Sequence, residues 1–288
     1  MRFWQGMGYT PLDELEAVAR HAEALGFYGV TLGDHFVTAE TQVDPYDLGG
    51  GKTPWEDDAP WPDPMVVFAS LAPVTTTLQF MTTVYVLPVR DAITAAKAIS
   101  TAAVVTGGRL HLGVGVGWQQ LEFTLTGQPF ERRGAHIDEQ LEVRRKLWTG
   151  TQVEHAGKFY RFPRVRMLPA PPARIPIYVA ATSSDAGFRR AARHDGWEGA
   201  VYPWEDIEDK VRRVKAARLA AAGTLDGFRV IVGCTEPTFE RMATLRDWGV
   251  TDYLKPPWTE GLRPTNPPLA DKLDEMSHFA ATYGVGSG

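Results

Sequence analysis

Cysteine is nearly absent from this chain of 288 residues, since Cys234 is its only cysteine. A lone thiol cannot form an internal disulfide or a multi-thiolate metal site, so disulfide-stapled and zinc-ribbon proteins are excluded. The low cysteine content is also typical of a reducing compartment. The seven histidines contain no His-x-His pair, and the sequence therefore gives no reason to propose a metal site.

Long apolar runs and an excess of positive charge are missing as well. The best candidate for a membrane span, residues 65–74, falls short of the roughly 18 apolar residues that a bilayer requires. The N-terminus has no secretory signal pattern, and the formal net charge of -5 has the wrong sign for a general nucleic-acid coat. We therefore expect a cytoplasmic protein that binds neither membranes nor nucleic acids.

The sequence does contain a regular alternation of short buried strands with amphipathic helices. Eight strand patterns are each followed by a helix pattern, and they start at Phe3, Phe27, Leu78, Leu110, Ile175, Trp197, Phe228 and Asp252. This alternation predicts an α/β fold with a parallel sheet and right-handed crossovers. Eight units favour a closed (β/α)8 TIM barrel over an open doubly wound sheet. Because no linker composition interrupts the pattern, residues 1–288 are predicted to form a single domain.

Two connections are longer than the usual few residues. Residues 36–63 follow strand two and carry Tyr46, Trp55 and Trp61, while residues 151–174 precede strand five and contain a hairpin pattern. Active sites of TIM barrels lie at the carboxyl ends of the strands. The first insertion is therefore either a lid or pocket wall, or a loop without a function.

Polar and small residues follow three of the predicted strands. Asp34 and His35 end strand two, where the histidine is either a proton donor oriented by Asp34 or an ordinary loop residue. Residues 113–118, Gly-Val-Gly-Val-Gly-Trp, depart from a dinucleotide fingerprint and indicate either close approach of a ligand or a tight turn. Residues 180–185, Ala-Ala-Thr-Ser-Ser-Asp, open a helix and suit either a phosphate or ordinary N-capping.

Several segments also occur together in one characteristic order. They are Gly33–His35, 78–88 (LQFMTTVYVLP), Gly107–Arg109, 112–118 (LGVGVGW) and 147–150 (LWTG). This combination closely resembles the bacterial luciferase-like family over roughly residues 10–200. It is most similar to the branch that depends on coenzyme F420, a deazaflavin.

The resemblance implies a TIM barrel with a flavin or deazaflavin ring at the C-terminal face. It implies a cis peptide at Thr83–Val84 behind the ring, with Asp34 and His35 facing the ring. It also implies that the loops after strands four and five hold the cofactor tail. The residues carried over in these loops are Gly115, Gly117, Trp118, Ala181, Thr182, Ser183 and Ser184. The absence of Arg and Lys between residues 113 and 125 favours F420 over FMN.

The expected activity is hydride transfer between F420 and a small-molecule substrate, with His35 protonating or polarising the substrate and Asp34 orienting His35. Two alternatives stay open: an FMN-dependent monooxygenase that uses O2, and a cofactor-binding relative without turnover. Sugar-phosphate substrates are disfavoured, because Lys255 is the only basic residue at the end of strand eight. Neutral or apolar carbonyls, enones or alcohols fit better. The resemblance also implies a homodimer through helix faces.

Overall fold

The chain alternates strands and helices throughout residues 1–46, 48, 50–260 and 263–286, which this computed structural model describes. The strands are β1 (Arg2–Gly6), β2 (Gly29–Leu32), β3 (Gln79–Thr82), β4 (Tyr85–Val86), β5 (Leu110–Gly115), β6 (Val153–Ala156), β7 (Arg161–Val165), β8 (Ile177–Ala180), β9 (Gly196–Tyr202), β10 (Arg229–Cys234), β11 (Asp252–Lys255), β12 (Thr259–Glu260) and β13 (Arg263–Pro264). The helices are α1 (Leu15–Ala24), α2 (Pro64–Leu71), α3 (Ala92–Val105), α4 (Gln120–Leu125), α5 (Arg133–Leu147), α6 (Asp185–Ala191), α7 (Ile207–Ala222), α8 (Phe239–Asp247) and α9 (Leu269–Tyr283).

Eight parallel strands close into a barrel in the order β1, β2, β3, β5, β8, β9, β10, β11. The ring is closed where β11 pairs with β1, with Arg2 opposite Asp252. The short strand β4 continues β3 beyond the Thr83–Val84 peptide and pairs with the end of β5. The (β/α)8 TIM barrel predicted from the sequence is therefore confirmed.

Capping side chains explain where two of the barrel helices begin. The carboxylate of Asp63 accepts hydrogen bonds from the N–H groups of Met65 and Val66, and Pro64 occupies the first position of α2. Asp91 caps α3 in the same way. The end of the 36–63 insertion is thus fixed to the start of α2. Within the described residues, no helix is both long enough and apolar enough to cross a bilayer.

Both predicted insertions are present. Residues 36–63 connect β2 to α2 and contact residues beyond the ends of β1 and β5. Residues 151–174 contain the antiparallel hairpin of β6 and β7. The carboxylate of Glu139 on α5 accepts hydrogen bonds from three consecutive N–H groups of the hairpin turn, residues 158–160. These bonds hold the hairpin against the outer helix layer.

The interior of the barrel is filled in layers. Near the N-terminal end, Asp252 accepts a hydrogen bond of 3.1 Å from the indole N–H of Trp4. An apolar layer follows, formed by Trp4, Met81, Tyr178, Ile231 and Leu254. Because side chains alternate along a strand, the next inward positions include Gly6, Ala180 and Gly233. The barrel therefore ends in small residues at its C-terminal mouth.

Candidate active site

The C-terminal mouth of the barrel has a floor of small residues. Gly33, Gly115 and Ala180 lie at the ends of three strands, and Gly33 and Ala180 are half-buried, so solvent reaches the floor. A Cβ atom on Gly33 would lie 2.9 Å from the ring of Trp61 and 3.4 Å from the carbonyl oxygen of Thr83. The floor is therefore bounded on one side by the segment that joins β3 to β4. This is the end of a TIM barrel at which active sites are found.

The glycines after β5 are required by packing within the protein. A Cβ atom on Gly115 would lie 2.5 Å from Cγ2 of Val84. Gly117 has φ +80°, and a Cβ atom there would lie 2.7 Å from Cγ1 of Val86. The Thr83–Val84 peptide is cis, as the resemblance implied. The side chain of Val84 thus lies over Gly115 at the mouth.

Asp34 does not hold His35, contrary to expectation. Its two carboxylate oxygens accept hydrogen bonds of 2.6 and 2.7 Å from the guanidinium of Arg90, and one oxygen also accepts the N–H of Val86 at 2.9 Å. Burial raises the pKa of the Asp34 carboxyl, while Arg90 and the Val86 amide oppose that rise. Consecutive residues at a strand end point to opposite sides. Asp34 therefore ties β2 to β4 and to the start of α3.

His35 is held by a glutamate that the sequence reasoning missed. Its Nδ1 lies 3.1 Å from Oε1 of Glu122, and the same oxygen accepts the N–H of Phe36 at 2.6 Å. Since that oxygen is an acceptor, Nδ1 carries the proton, and Nε2 remains for another partner. Glu122 is only 1% exposed, and its Oε2 has no hydrogen-bond partner in the part of the chain that the structure describes. Glu122 is the third residue of α4, in the first helical turn after the glycine loop, and this position was the available signal.

Five aromatic side chains gather beside His35, and we call them the aromatic cap. They are Tyr9, Tyr46, Trp55, Trp61 and Trp118. The ring of His35 lies 4.8 Å from Trp61, 5.6 Å from Trp55 and 5.8 Å from Trp118, measured between centroids. The aromatic residues of the 36–63 insertion therefore form a wall of the mouth, which favours the functional interpretation of that insertion. Burial raises the pKa of the Tyr9 hydroxyl.

The loops after β5 and β8 lie side by side because those strands pair. Ser184 caps α6 by accepting the N–H of Gly187 at 3.1 Å, which is the ordinary capping role. The carbonyl of Ser183 accepts a hydrogen bond from Arg213 at 2.8 Å. Thr182, which precedes these two serines, is half-buried. The carbonyl oxygen of Ala181 accepts a hydrogen bond from the indole N–H of Trp197. A phosphate-binding role for these residues stays a prediction.

A cation reaches the β5 loop from a distant position in the sequence. Arg133, at the start of α5, donates from Nε to the carbonyl oxygen of Gly117 at 2.9 Å, and its guanidinium lies 3.9 Å from the ring of Phe130. The absence of basic residues from 113–125 therefore does not leave the loop without positive charge. That absence no longer favours F420 over FMN.

The sequence profile of luciferase-like monooxygenases matches residues 1–248. The chain belongs to the luciferase-like monooxygenase family. This luciferase-like chain is 34% identical over 286 residues to an uncharacterized protein of Mycobacterium tuberculosis, covering 97% of this chain and 98% of that protein. It is 28% identical over 177 residues to the F420-dependent glucose-6-phosphate dehydrogenase of Amycolatopsis mediterranei, covering 60% of this chain and 48% of the dehydrogenase.

Solved structures share the barrel at low sequence identity. The monooxygenase RslO1 from Streptomyces bottropensis superposes with a TM-score of 0.75 at 20% identity, and all of both chains is covered. At this identity the likeness shows the fold alone. Other solved structures with the same barrel include a type II Baeyer-Villiger monooxygenase in complex with FMN and two F420-dependent enzymes. The proteins similar to this chain thus include F420-dependent enzymes and an FMN-bound monooxygenase.

Proposed function

We propose that this protein transfers a hydride between coenzyme F420 and a neutral, largely apolar carbonyl, enone or alcohol at the mouth of the barrel. The observation that carries the proposal is the His35–Glu122 pair, which leaves Nε2 of the imidazole beside the aromatic cap. Membership of the luciferase-like family indicates the class of cofactor, and the mouth of the barrel is the proposed binding site for it.

The residues at the mouth fit a flat heterocycle with an acidic tail. The floor consists of small residues, and Gly33 and Ala180 are half-buried, so the strand ends themselves place no large side chain where a ring would lie. Thr83 and Val84 would back that ring, as the resemblance implies. The two loops that would hold the tail phosphate contain Gly115, Gly117, Trp118, Ala181, Thr182, Ser183 and Ser184. Arg133 lies against the first of these loops and adds the positive charge that a phosphate needs.

Bound F420 supplies the carbon centre that gives or takes the hydride. The protein has to deliver or remove one proton at the substrate oxygen, since reduction of a carbonyl adds one hydride and one proton. His35 performs this step from Nε2. Glu122 fixes the tautomer and the orientation of the imidazole, because its Oε1 accepts the hydrogen bond from Nδ1. Asp34 acts at a distance from the reacting atoms, by holding β4 in place.

The surroundings of His35 favour a neutral substrate. The aromatic cap presents three indole rings and two phenol rings, a surface suited to apolar groups. Lys255 does not serve the mouth, because its Nζ turns outward to Glu275 on α9 at 2.8 Å. Lys255, the cation of β11, is therefore not available to bind a substrate phosphate.

The proposal is tested first by cofactor binding. The purified protein is titrated separately with F420 and with FMN while the fluorescence of each cofactor is followed. We expect tighter binding of F420, as the resemblance to the F420-dependent branch implies. A clear preference for FMN would overturn the F420 assignment, and binding of neither would overturn the assignment of the mouth as a cofactor site.

The role of His35 is tested by His35→Ala and Glu122→Gln in the F420-loaded enzyme with a panel of ketones, enones and alcohols. We expect turnover to fall about 100-fold in His35→Ala, in line with the loss of a general acid, while the dissociation constant for F420 changes little. In Glu122→Gln, turnover should fall less, about 10-fold, and its pH profile should shift. Unchanged turnover in His35→Ala would remove His35 from the mechanism.

A second candidate is an FMN-dependent monooxygenase. Arg133 beside the β5 loop supports it as well, because a positive charge there suits the phosphate of FMN as it suits the phosphate of the F420 tail. Oxygen consumption coupled to substrate hydroxylation, in the presence of reduced FMN, identifies this activity.

A further inference from the structure

A carboxylic acid lies inside the barrel, directly beneath the mouth. Glu198 on β9 pairs in register with Ala180 on β8 and Ile231 on β10, both of which face inward. Its side chain is only 1% exposed. The neighbouring layer is apolar, so packing alone would favour leucine or methionine here.

The carboxyl group reaches across the barrel to β5. A Cβ atom on Gly113 would lie 1.8 Å from Oε2 of Glu198 and 2.0 Å from the carbonyl oxygen of Thr82. Any side chain larger than hydrogen at Gly113 would therefore displace the carboxyl. Gly115, the next inward residue of β5, belongs to the floor of the mouth. The carboxyl thus lies one layer below the floor, on the side where Val84 borders it.

Oε2 of Glu198 has no hydrogen-bond partner among the described residues. A buried polar atom without a partner costs free energy, and proteins retain few of them. Burial raises the pKa of Glu198 well above the ordinary range for glutamate. A buried carboxyl group with no ion-pair partner favours its protonated form, which has an O–H donor and a carbonyl acceptor side by side.

We propose that Glu198 binds the pyrimidinedione edge of the cofactor ring from beneath the floor, with its O–H donating to a ring carbonyl and its carbonyl oxygen accepting the imide N–H. A neutral carboxyl and an imide have complementary donors and acceptors, which explains why an ionised side chain is not required. F420 and FMN share this edge, so the inference rests on the proposed cofactor site but not on the choice between the two cofactors.

The test compares Glu198→Gln with Glu198→Leu, using F420 and FMN as separate probes and thermal unfolding of the cofactor-free protein as a second readout. The amide of glutamine retains one donor group and one acceptor, so we expect binding within about 3-fold of wild type. Leucine removes both, and we expect the dissociation constants for both cofactors to rise at least about 10-fold. Ile231→Leu, at the β10 position that pairs in register with Glu198, is the matched control and should leave binding unchanged.

The second readout separates ligand binding from a structural role. If Glu198 serves the ligand, Glu198→Leu removes an unpaired buried group, and Tm should stay constant or rise while binding weakens. A fall in Tm together with unchanged binding would assign Glu198 to the fold and overturn the inference. Equal loss of binding in Glu198→Gln and Glu198→Leu would overturn the complementary pairing. If the wild type binds neither cofactor, the proposed cofactor site fails, whereas tight binding by wild type and Glu198→Leu alike refutes this inference alone.

Discussion

At the scale of single residues, the two neighbours Asp34 and His35 serve different purposes. Asp34 and Arg90 form a buried ion pair in which the carboxylate is 3% and the guanidinium 9% exposed. His35 instead uses Glu122, which lies 87 residues away along the chain. The sequence could place His35 at a strand end, because strand periodicity is local. It could not give the partner, because that contact depends on how α4 docks against the barrel.

The ion pair of Asp34 predicts a large loss of stability on truncation. Asp34→Ala leaves a buried guanidinium without its partner, which costs about 3–5 kcal/mol of unfolding free energy. Urea unfolding at pH 7 measures this loss. The matched control is Glu16→Ala, which breaks the exposed Glu16–Arg20 pair and should change stability by less than about 1 kcal/mol. Similar values for the two variants would contradict the structural role of Asp34.

At the scale of elements, one glutamate on α1 joins that helix to the start of β3. The carboxylate of Glu23 accepts the N–H groups of Thr76, Thr77 and Leu78 at distances of 2.6–3.2 Å. Burial by itself raises the pKa of Glu23, but these hydrogen bonds outweigh it and lower the pKa to about 2. The sequence predicted both elements from their periodicity, yet it contained no signal for this link between them.

The link made by Glu23 predicts an acid-dependent contribution to stability. Because the folded pKa is depressed, the stabilisation is present above the unfolded pKa of about 4.5 and is lost as the pH falls toward about 2. Glu23→Gln should therefore be less stable than wild type at pH 6, and the difference should shrink by pH 2.5. Urea unfolding at several pH values measures it. Glu16→Gln, on the same helix, should show no comparable trend, and a constant difference for Glu23→Gln would contradict the assignment.

At the scale of the whole molecule, the barrel was predictable because each βα unit repeats the same two periodicities. Eight such units leave few topologies other than a closed ring. The contents of the mouth were less predictable. The sequence predicts that Trp118 contacts the cofactor tail, and it gave no sign that the Trp118 ring also lies 5.3 Å from Tyr46 in the aromatic cap. Arg133 was not assigned to the site at all, since it enters from a later helix.

Two buried histidines make the whole fold sensitive to mild acid. Burial lowers the pKa of His111 in the barrel interior and of His194 beside α6, each to about 4. In the unfolded chain these imidazoles bind protons below about pH 6.5, whereas in the folded protein they do so only near pH 4. The free energy of unfolding therefore falls as the pH drops from about 6.5 to about 4. Each group contributes up to about 3 kcal/mol over this window.

Urea unfolding between pH 7.5 and pH 4 tests this sensitivity. His194→Gln should flatten the decline in unfolding free energy between pH 6.5 and pH 4. His278→Gln, which replaces an exposed histidine, should leave the decline as in wild type. If His194→Gln and wild type decline in parallel, His194 is not held in its neutral form by the fold.

The aromatic cap also gives the protein an internal optical probe. Three of the nine tryptophans, Trp55, Trp61 and Trp118, surround the mouth of the barrel. A chromophore seated on the floor beside them would accept their excitation energy at very short range. Indole emission should therefore dim in proportion to occupancy, and an unlabelled sample can report both binding and release in real time.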